Sequence, residues 1–384
     1  MYYIAIKMLI GDRAKYIGII TGVTFAALIM TQQPAIFIGA MERTYSFLTD
    51  ASLPDIWVMD RTVQYIDDAK PIQDTQLYRV KSVAGVKWAV PFYKGLIIAR
   101  STDGKFQTCT IIGLDDPTLI GAPANIVAGK LEDLHQNDAI IVDYVGATDK
   151  LAKKLPNGQK IPLKIGDELE LNDNRAVVVG IAKTTRTFLS FPTIFTTYTR
   201  ATTFVPQVRE ALSFVLVKAA NGQDLSELTR RISKETGLAA YTRDGFKKMN
   251  LNYYLKYTAL PINFGVSVLL GFMVGAAIAG QMFFNFTQEN LRQFGALKAM
   301  GARNFTLLKM ILVQAMTVGI IGWGFGVGLA ALFGFAVNDT VLAFDIPWQL
   351  LIFSASGVFL IMVFAATISI NKVIKLEPAI VFKS

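Results

Sequence analysis

Four long apolar stretches, near residues 16–40, 258–284, 307–336 and 347–370, constrain this chain more than any other feature. A helix needs roughly 20 mostly apolar residues to cross a bilayer core of about 30 Å, and each stretch is long enough. Between the first and the second lies a polar segment, 41–257, large enough to bury a core of its own. The sequence therefore predicts a membrane protein with four transmembrane α-helices and a large extracytoplasmic domain inserted between helices 1 and 2. Residues 1–15 form a cytoplasmic N-terminal segment, 285–306 a short connecting helix, 337–346 a short outer loop and 371–384 a cytoplasmic tail. The first stretch runs past the length of a cleaved signal core, through Gln32, Gln33 and Pro34 to Ile38, and is read as a retained anchor.

Orientation follows from the basic residues. Lys7, Arg13 and Lys15, then Arg292, Lys298, Arg303 and Lys309, then Lys372, Lys375 and Lys383 fall on segments that share one side of this topology. The 337–346 loop carries only Asp339 and Asp345. Both termini and the 285–306 segment are thus expected in the cytoplasm and the large domain outside. The net charge of +9 divides into +7 on the cytoplasmic segments, −2 on the short loop and +4 on the domain, where 28 basic residues face 24 acidic ones. The excess is a topology signal; a nucleic-acid surface needs a concentrated basic face, so nucleic acid is not an expected partner.

Residue usage removes several enzyme classes. One cysteine, Cys109, cannot form an intramolecular disulfide and reads as a small buried core residue. One histidine, His135, cannot supply a His-based metal cluster, and no G-x-S-x-G elbow accompanies it; it reads as an exposed loop residue. The acidic pairs Asp67/Asp68 and Asp115/Asp116 sit in turn-like sequence and read as solvated. Neither Gly104-Lys105 nor Gly129-Lys130 continues into a Walker motif, so the chain shows no phosphate loop of its own. The interiors of the apolar stretches hold no ionisable group, where an ion-coupled transporter places its functional residues. No catalytic or metal-ligating set is expected, and any energy source is expected on another chain.

The domain reads as α+β. "DIWVM" (55–59) is strand-like, Asp74 can cap a helix through Val83, and "VKWAV" and "GLIIAR" lead into a hairpin turning at "STDGKF". A similar unit follows much later: the strand "LSFVLVKA" (212–219), the turn Asn221-Gly222, then a helix capped by Asp224 with Glu227 in a capping-box position, ending at Gly237 before "LAAYT". Two such strand–helix–strand units suggest a pseudo-repeat, with a mostly-β sub-domain at about 130–200 inserted into it. "DGFKKMNLNYYLKY" (244–257) reads as a polar helical stalk running into the second span.

The stretch "NFTQENLRQFGALKAMGARNFTLLKM" (285–310) is the least ordinary part of the membrane half. Thr287 can cap a helix with Glu289 in its first turn, Gly301 can terminate it, and Asn304 can cap the third span. Leu291, Phe294, Leu297 and Met300 recur every third residue, which gives a slanted apolar arc along the helix. Gly295 in its interior costs roughly 1 kcal/mol relative to alanine, which points to close packing. In the third span, Gly324 and Gly328 form a G-x-x-x-G pair suited to helix packing. Gln33-Pro34 is expected to kink the first span and is a hinge candidate.

"LRQFGALKAMGARNFTLLKMILVQ" resembles the cytoplasmic segment of MacB/FtsX-like ABC permeases, where R-E-I-G-x-L-[KR]-A-x-G-A precedes the third span. "DRAKYIGIITGVTFAALIM" resembles that family's entry, "KLEPAIVFK" resembles its ending, and the arrangement of spans is the family's plan across the whole chain. The resemblance implies that the short helix is a coupling helix docking in a groove of a separate ATPase subunit, and that two permease chains, most simply a homodimer, form the transmembrane part. ATP and Mg would bind the partner ATPase, and this chain would bind no cofactor. It implies a multi-pass protein of the bacterial inner membrane and a mechanotransmission role. Carried over position by position, the matching residues are Arg292, Gly295, Leu297, Lys298, Ala299 and Gly301, joined as coupling candidates by Glu289 in the first turn and by Gln293 and Phe294, which stand where the family has Glu-Ile. Export or efflux with a periplasmic adaptor and an outer-membrane channel is the favoured job. Lipoprotein extraction, control of a cell-wall hydrolase, and a membrane receptor or scaffold remain open alternatives.

Overall fold

The apolar stretches fold into helices longer than the stretches themselves. The computed structural model describes residues 2–51, 53–101, 103–205, 211–337, 340 and 342–374, with the backbone alone at 211, 371 and 372. Its helices, in chain order, are α1 (Tyr2–Gly11), α2 (Arg13–Asp50), α3 (Thr75–Lys81), α4 (Tyr198–Phe204), α5 (Leu225–Thr236), α6 (Arg243–Tyr257), α7 (Leu260–Glu289), α8 (Leu291–Ala299), α9 (Asn304–Val337) and α10 (Trp348–Ile374). Four of them, α2, α7, α9 and α10, are long and apolar enough to cross a membrane. The chain divides into a helical unit, Met1–Ala40 with Ala259–Ser384, and an inserted unit, Met41–Thr258. Most of the tail, and Asp339 of the short loop, lie outside the described residues.

Within the helical unit α7, α9 and α10 each approach α2 at a glycine. Gly275 of α7 lies against Ala26, Gly326 of α9 against Ala27, and Gly357 of α10 against Met30. A Cβ added at Gly326 would sit 2.5 Å from that of Ala27 and 2.8 Å from the Thr24 carbonyl oxygen, so no larger residue permits this backbone approach. Ile19, Val23, Ala279, Phe283, Phe286, Met310 and Ile361 fill the core around these contacts. The segment 1–15 is not merely a charged lead-in: α1 buries Ala5 and Leu9 in the same core, and Gln314 Nε2 donates to the Ala5 carbonyl at 2.8 Å. Pro34 does not end α2, which continues to Asp50.

Within one chain, the glycines of α9 that pack on a neighbouring helix lie two residues from the expected pair. Gly324 and Gly328 have nothing within 4 Å of a hypothetical Cβ, whereas Gly322 and Gly326 meet Val23 and Ala27. Both pairs satisfy the same spacing, and the helix face decides between them. Gly326→Leu is therefore expected to destabilise the purified chain by about 1–3 kcal/mol through overpacking, and Gly328→Leu to leave its thermal midpoint nearly unchanged. Equal thermal midpoints for the two variants would contradict this register.

The inserted unit contains β1 (Ile56–Met59), β2 (Ile72–Gln73), β3 (Val86–Arg100), β4 (Phe106–Leu114), β5 (Ile126–Ala128), β6 (Ala139–Asp143), β7 (Lys153–Lys154), β8 (Lys160–Ile161), β9 (Glu168–Leu171), β10 (Asn174–Ala182), β11 (Thr193–Thr197), β12 (Ala211–Leu212), β13 (Phe214–Ala219) and β14 (Ala239–Thr242). The order β14-β1-β13-β3, antiparallel throughout, joins the two strand–helix–strand units β1-α3-β3 and β13-α5-β14 into one split βαβ sheet. The pseudo-repeat read from the sequence is thus present. Asp74 caps α3 by accepting from Thr75 N at 2.7 Å, and α3 ends at Lys81, short of Val83. Asp224 caps α5 by accepting from Ser226 N at 2.8 Å, and Gly237 closes it in the left-handed region at φ 78°. Glu227 pairs with Arg231 at 2.7 Å and is not the other half of a capping box.

The insertion is larger than residues 130–200. β3 is a single 15-residue strand whose first half, through Phe92, pairs with β13 and whose second half, from Tyr93, pairs with β4. The sub-domain therefore begins in mid-strand and runs through α4. Ile97, Cys109, Ile111, Ile140, Val142, Leu169, Val178 and Ile194 make its core, with Cys109 fully buried as expected. His135 lies exposed in a short 3-10 turn, also as expected. The acids are less solvated than their sequence suggests: Asp115 is buried and accepts from Thr118 Oγ1 at 2.5 Å, and Asp67 pairs with Lys94. α6 starts at a Thr242 cap and ends at Tyr257; Thr258 is extended (φ −120°, ψ 157°), so α6 and α7 are separate helices and not one stalk running into the span.

Candidate coupling site

The charged stretch between the second and third apolar helices folds in three short steps. α7 continues through Thr287, whose hydroxyl donates back to the Phe283 carbonyl at 2.9 Å, so Thr287 is an interior residue and not a cap. Glu289 ends α7 and pairs with Lys15, which also pairs with Asp12 at 2.7 Å and holds the Asp12 carboxyl below its usual range through their hydrogen bond. Glu289 therefore ties the end of α7 to the start of α2 instead of opening the connecting helix. Asn290 Nδ2 donates to the Phe286 carbonyl at 2.8 Å, and α8 begins at Leu291.

α8 is 9 residues long, about two and a half turns. It closes where Gly301, at φ 93°, reverses the chain and donates to the Lys298 carbonyl at 3.0 Å, while Ala302 N donates to that of Leu297 at 3.0 Å. Gly301 thus ends the helix as expected. α9 then starts over the Arg303 carbonyl, which accepts from Thr306 N at 2.8 Å, so Asn304 is already inside the helix and is not its cap.

Six of the eight expected coupling residues lie on α8, and its two faces divide them; Glu289 ends α7 and Gly301 lies in the turn beyond. Phe294, Gly295 and Leu297 point inward, and Phe294 is fully buried in the core that holds Ala5, Phe286, Leu307 and Met310. Lys298 reaches across to donate to the Ile374 carbonyl at 3.0 Å, which fastens α8 to the end of α10. Arg292 and Gln293 are exposed, and Gly301 is exposed at the turn. The arc of every third residue breaks at Met300, which is 75% exposed. Beyond the turn, Arg303 is exposed and Phe305 is 64% exposed, with Lys309 Nζ 4.6 Å from its ring centroid. Two large exposed apolar side chains, Met300 and Phe305, thus stand on either side of the Gly301 turn, in a segment that also exposes the cations Arg292, Arg303 and Lys309.

Met300, Arg303 and Phe305 were not among the expected site residues. Gly301 in the sequence reads as the end of the element and draws attention away from the exposed side chains just beyond the turn. Among the described residues there is no cluster of metal-ligating side chains. The exposed side chains of this segment have the composition of a docking face: apolar anchors with basic neighbours in sequence. Gln33 and Pro34 of α2, and Gly324 and Gly328 of α9, lie elsewhere in the helical unit and are not part of it.

Comparison with known proteins gives two family matches. Residues 16–235 match the MacB-like periplasmic core domain and residues 264–378 the FtsX-like permease C-terminal region. The chain is 23% identical over 325 residues to the macrolide export ATP-binding/permease protein MacB of Bartonella quintana, covering 78% of this chain and 47% of that protein. It is 23% identical over 260 residues to the MacB of Bartonella henselae, covering 64% of this chain and 37% of that one. The match thus spans less than half the length of each curated relative. The periplasmic region of MacB from Actinobacillus actinomycetemcomitans covers 55% of this chain and 96% of that structure, at 12% identity and a TM-score of 0.38.

Proposed function

The chain belongs to the MacB/FtsX-like family of ABC-transporter permeases, and from that premise we propose that it is the membrane subunit through which a separate ATPase moves the inserted domain. The observation that carries this reading is the outward surface of α8 and the start of α9. Its inner side is locked into the bundle by Phe294, Leu297 and the Lys298–Ile374 hydrogen bond, so a push on the outer side reaches α7 and α10 directly. Met300 and Phe305 supply the anchors, and the basic rim suits a groove lined by acidic and apolar residues.

In this reading the ATPase holds ATP and Mg, two copies of the chain form the transmembrane part, and the termini and α8 face the cytoplasm of a bacterial inner membrane. The inserted unit stands in the periplasm, where it works in export with an adaptor and an outer-membrane channel. The Bartonella relatives, named for macrolide export, support that direction. Purification of the chain from its native membrane in mild detergent, with mass spectrometry of every co-purifying protein, tests the reading. A stoichiometric P-loop ATPase, stimulated by the chain, is expected; recovery of an intact dimer with no ATPase would argue for a receptor or scaffold.

A further inference from the structure

We infer that the outer end of α2 and the whole of α6 form one rigid lever, clasped at two points by Asn250 and Arg243. Asn250 lies in the buried stripe Phe246, Asn250, Tyr254 of α6 and is completely inaccessible to solvent. Its Oδ1 accepts from Ile66 N at 3.0 Å, and its Nδ2 donates to Thr44 Oγ1 of α2 at 2.8 Å; Thr44 Oγ1 in turn donates to the Met41 carbonyl at 2.6 Å. One amide therefore ties together α6, α2 and the loop after β1. A buried amide is tolerated only while its bonds are made, so sliding α6 along α2 would strand the donors Ile66 N and Asn250 Nδ2 and the acceptors Asn250 Oδ1 and Thr44 Oγ1.

The second clasp sits at the other end of the contact. Arg243 Nη2 donates to the Ala51 carbonyl at 3.1 Å, just beyond the last turn of α2. Thr44 and Ala51 are seven positions apart, as are Asn250 and Arg243, and the pairing runs in opposite directions. Two antiparallel segments of equal length, about 10 Å each, are thus pinned at both ends, which forbids shear between them. Midway, Phe47 of α2 and Phe246 of α6 both pack on Trp57, with ring centroids 5.5 and 6.1 Å away. Lys247 Nζ lies 4.1 Å from the Tyr45 ring centroid, and Tyr65 stacks on Tyr253 at 4.3 Å. The two helices and the sheet beneath them form one body, in which a single buried asparagine sets register much as it does in a coiled coil.

The inference deepens the proposed function: if an ATPase drives the chain, the inserted unit is carried as a rigid piece. It is tested by electron paramagnetic resonance on the full chain with its ATPase in lipid nanodiscs. Spin labels are placed at Thr49→Cys and Lys248→Cys, both exposed positions, in a Cys109→Ala background. One narrow distance, unchanged by ATP, is expected. Thr44→Val, which keeps the shape and loses the hydroxyl, is expected to widen that distribution at least twofold, and Thr44→Ser to leave it narrow. An ATP-dependent shift in the parent, or a Thr44→Val distribution as narrow as the parent's, would overturn the clasp. A second label pair, one on the inserted unit of each copy, reports on the coupling reading separately. If that distance ignores ATP while the first stays narrow, the drive is wrong and the clasp stands.

Discussion

Replacing Met300 and Phe305 together by aspartate is expected to lower stimulation of the partner ATPase at least tenfold while the chain remains folded. Both side chains are mostly exposed, so their loss leaves the bundle's own packing intact. Apolar anchors at a docking face are commonly worth about 2 kcal/mol each, and 1.4 kcal/mol is already a factor of ten. The contrast with the inner face is the informative part. Phe294→Ala removes a fully buried ring and is expected to cost about 3–5 kcal/mol of stability. Gly295→Glu would force a carboxylate into a buried position, so its failure would report on folding and not on docking. Equal ATPase stimulation by wild type and the Met300→Asp, Phe305→Asp variant would remove this surface from the account.

Trp57→Ala is expected to unfold much of the inserted unit, with a loss of about 3–5 kcal/mol. Trp57 is fully buried and stands at the centre of Phe47, Phe92, Phe214 and Phe246, with ring centroids between 5.5 and 6.1 Å away. These residues come from α2, two strands and α6, so truncation opens a cavity where four elements meet. Among the described residues the indole Nε1 has no hydrogen-bond partner, so replacement by phenylalanine forfeits no bond to them. Trp57→Phe should therefore cost far less than Trp57→Ala. Denaturant unfolding of the two variants, followed by circular dichroism, checks the order; comparable losses would mean that the indole's polar edge matters more than its bulk.

The sequence made several elements readable because their signals are local. Asp74, Asp224 and Gly237 marked helix ends through single side-chain or backbone requirements, and the stretch read as mostly β holds β6, β9, β10 and β11. The four spans needed only length and composition. What stayed hidden depended on contacts made elsewhere in the chain. Gly322, Gly324, Gly326 and Gly328 offer two interleaved pairs of equal spacing, and only the position of α2 selects 322 and 326. Lys94-Gly95 looks like a break between strands, yet β3 passes straight through because Lys94 finds Asp67 and because Ser213 Oγ meets the Lys94 backbone at 2.9 and 3.0 Å.

The candidate coupling segment was legible as a helix and a turn but not in orientation. Residues 285–306 were marked by charge between apolar runs, and Gly301 ended the helix as its position required. Periodicity alone could not say which of Phe294, Leu297 and Met300 turned outward, since a nine-residue helix leaves its apolar arc open to either side. α1 escaped because ten residues are too few for a span and Lys7 reads as a topology charge. Asn250 escaped for a similar reason: in a polar helix an asparagine attracts no notice until its neighbours are known.

The most direct test places a photo-crosslinking amino acid at position 300 of the chain in its native membrane, with position 294 as the buried control. A crosslink from position 300 to a P-loop ATPase, weakened by ATP-site mutations that dissociate the complex, is expected, and none from position 294. Adducts at position 300 confined to lipid or to the chain itself, in membranes where the ATPase is present, would contradict it.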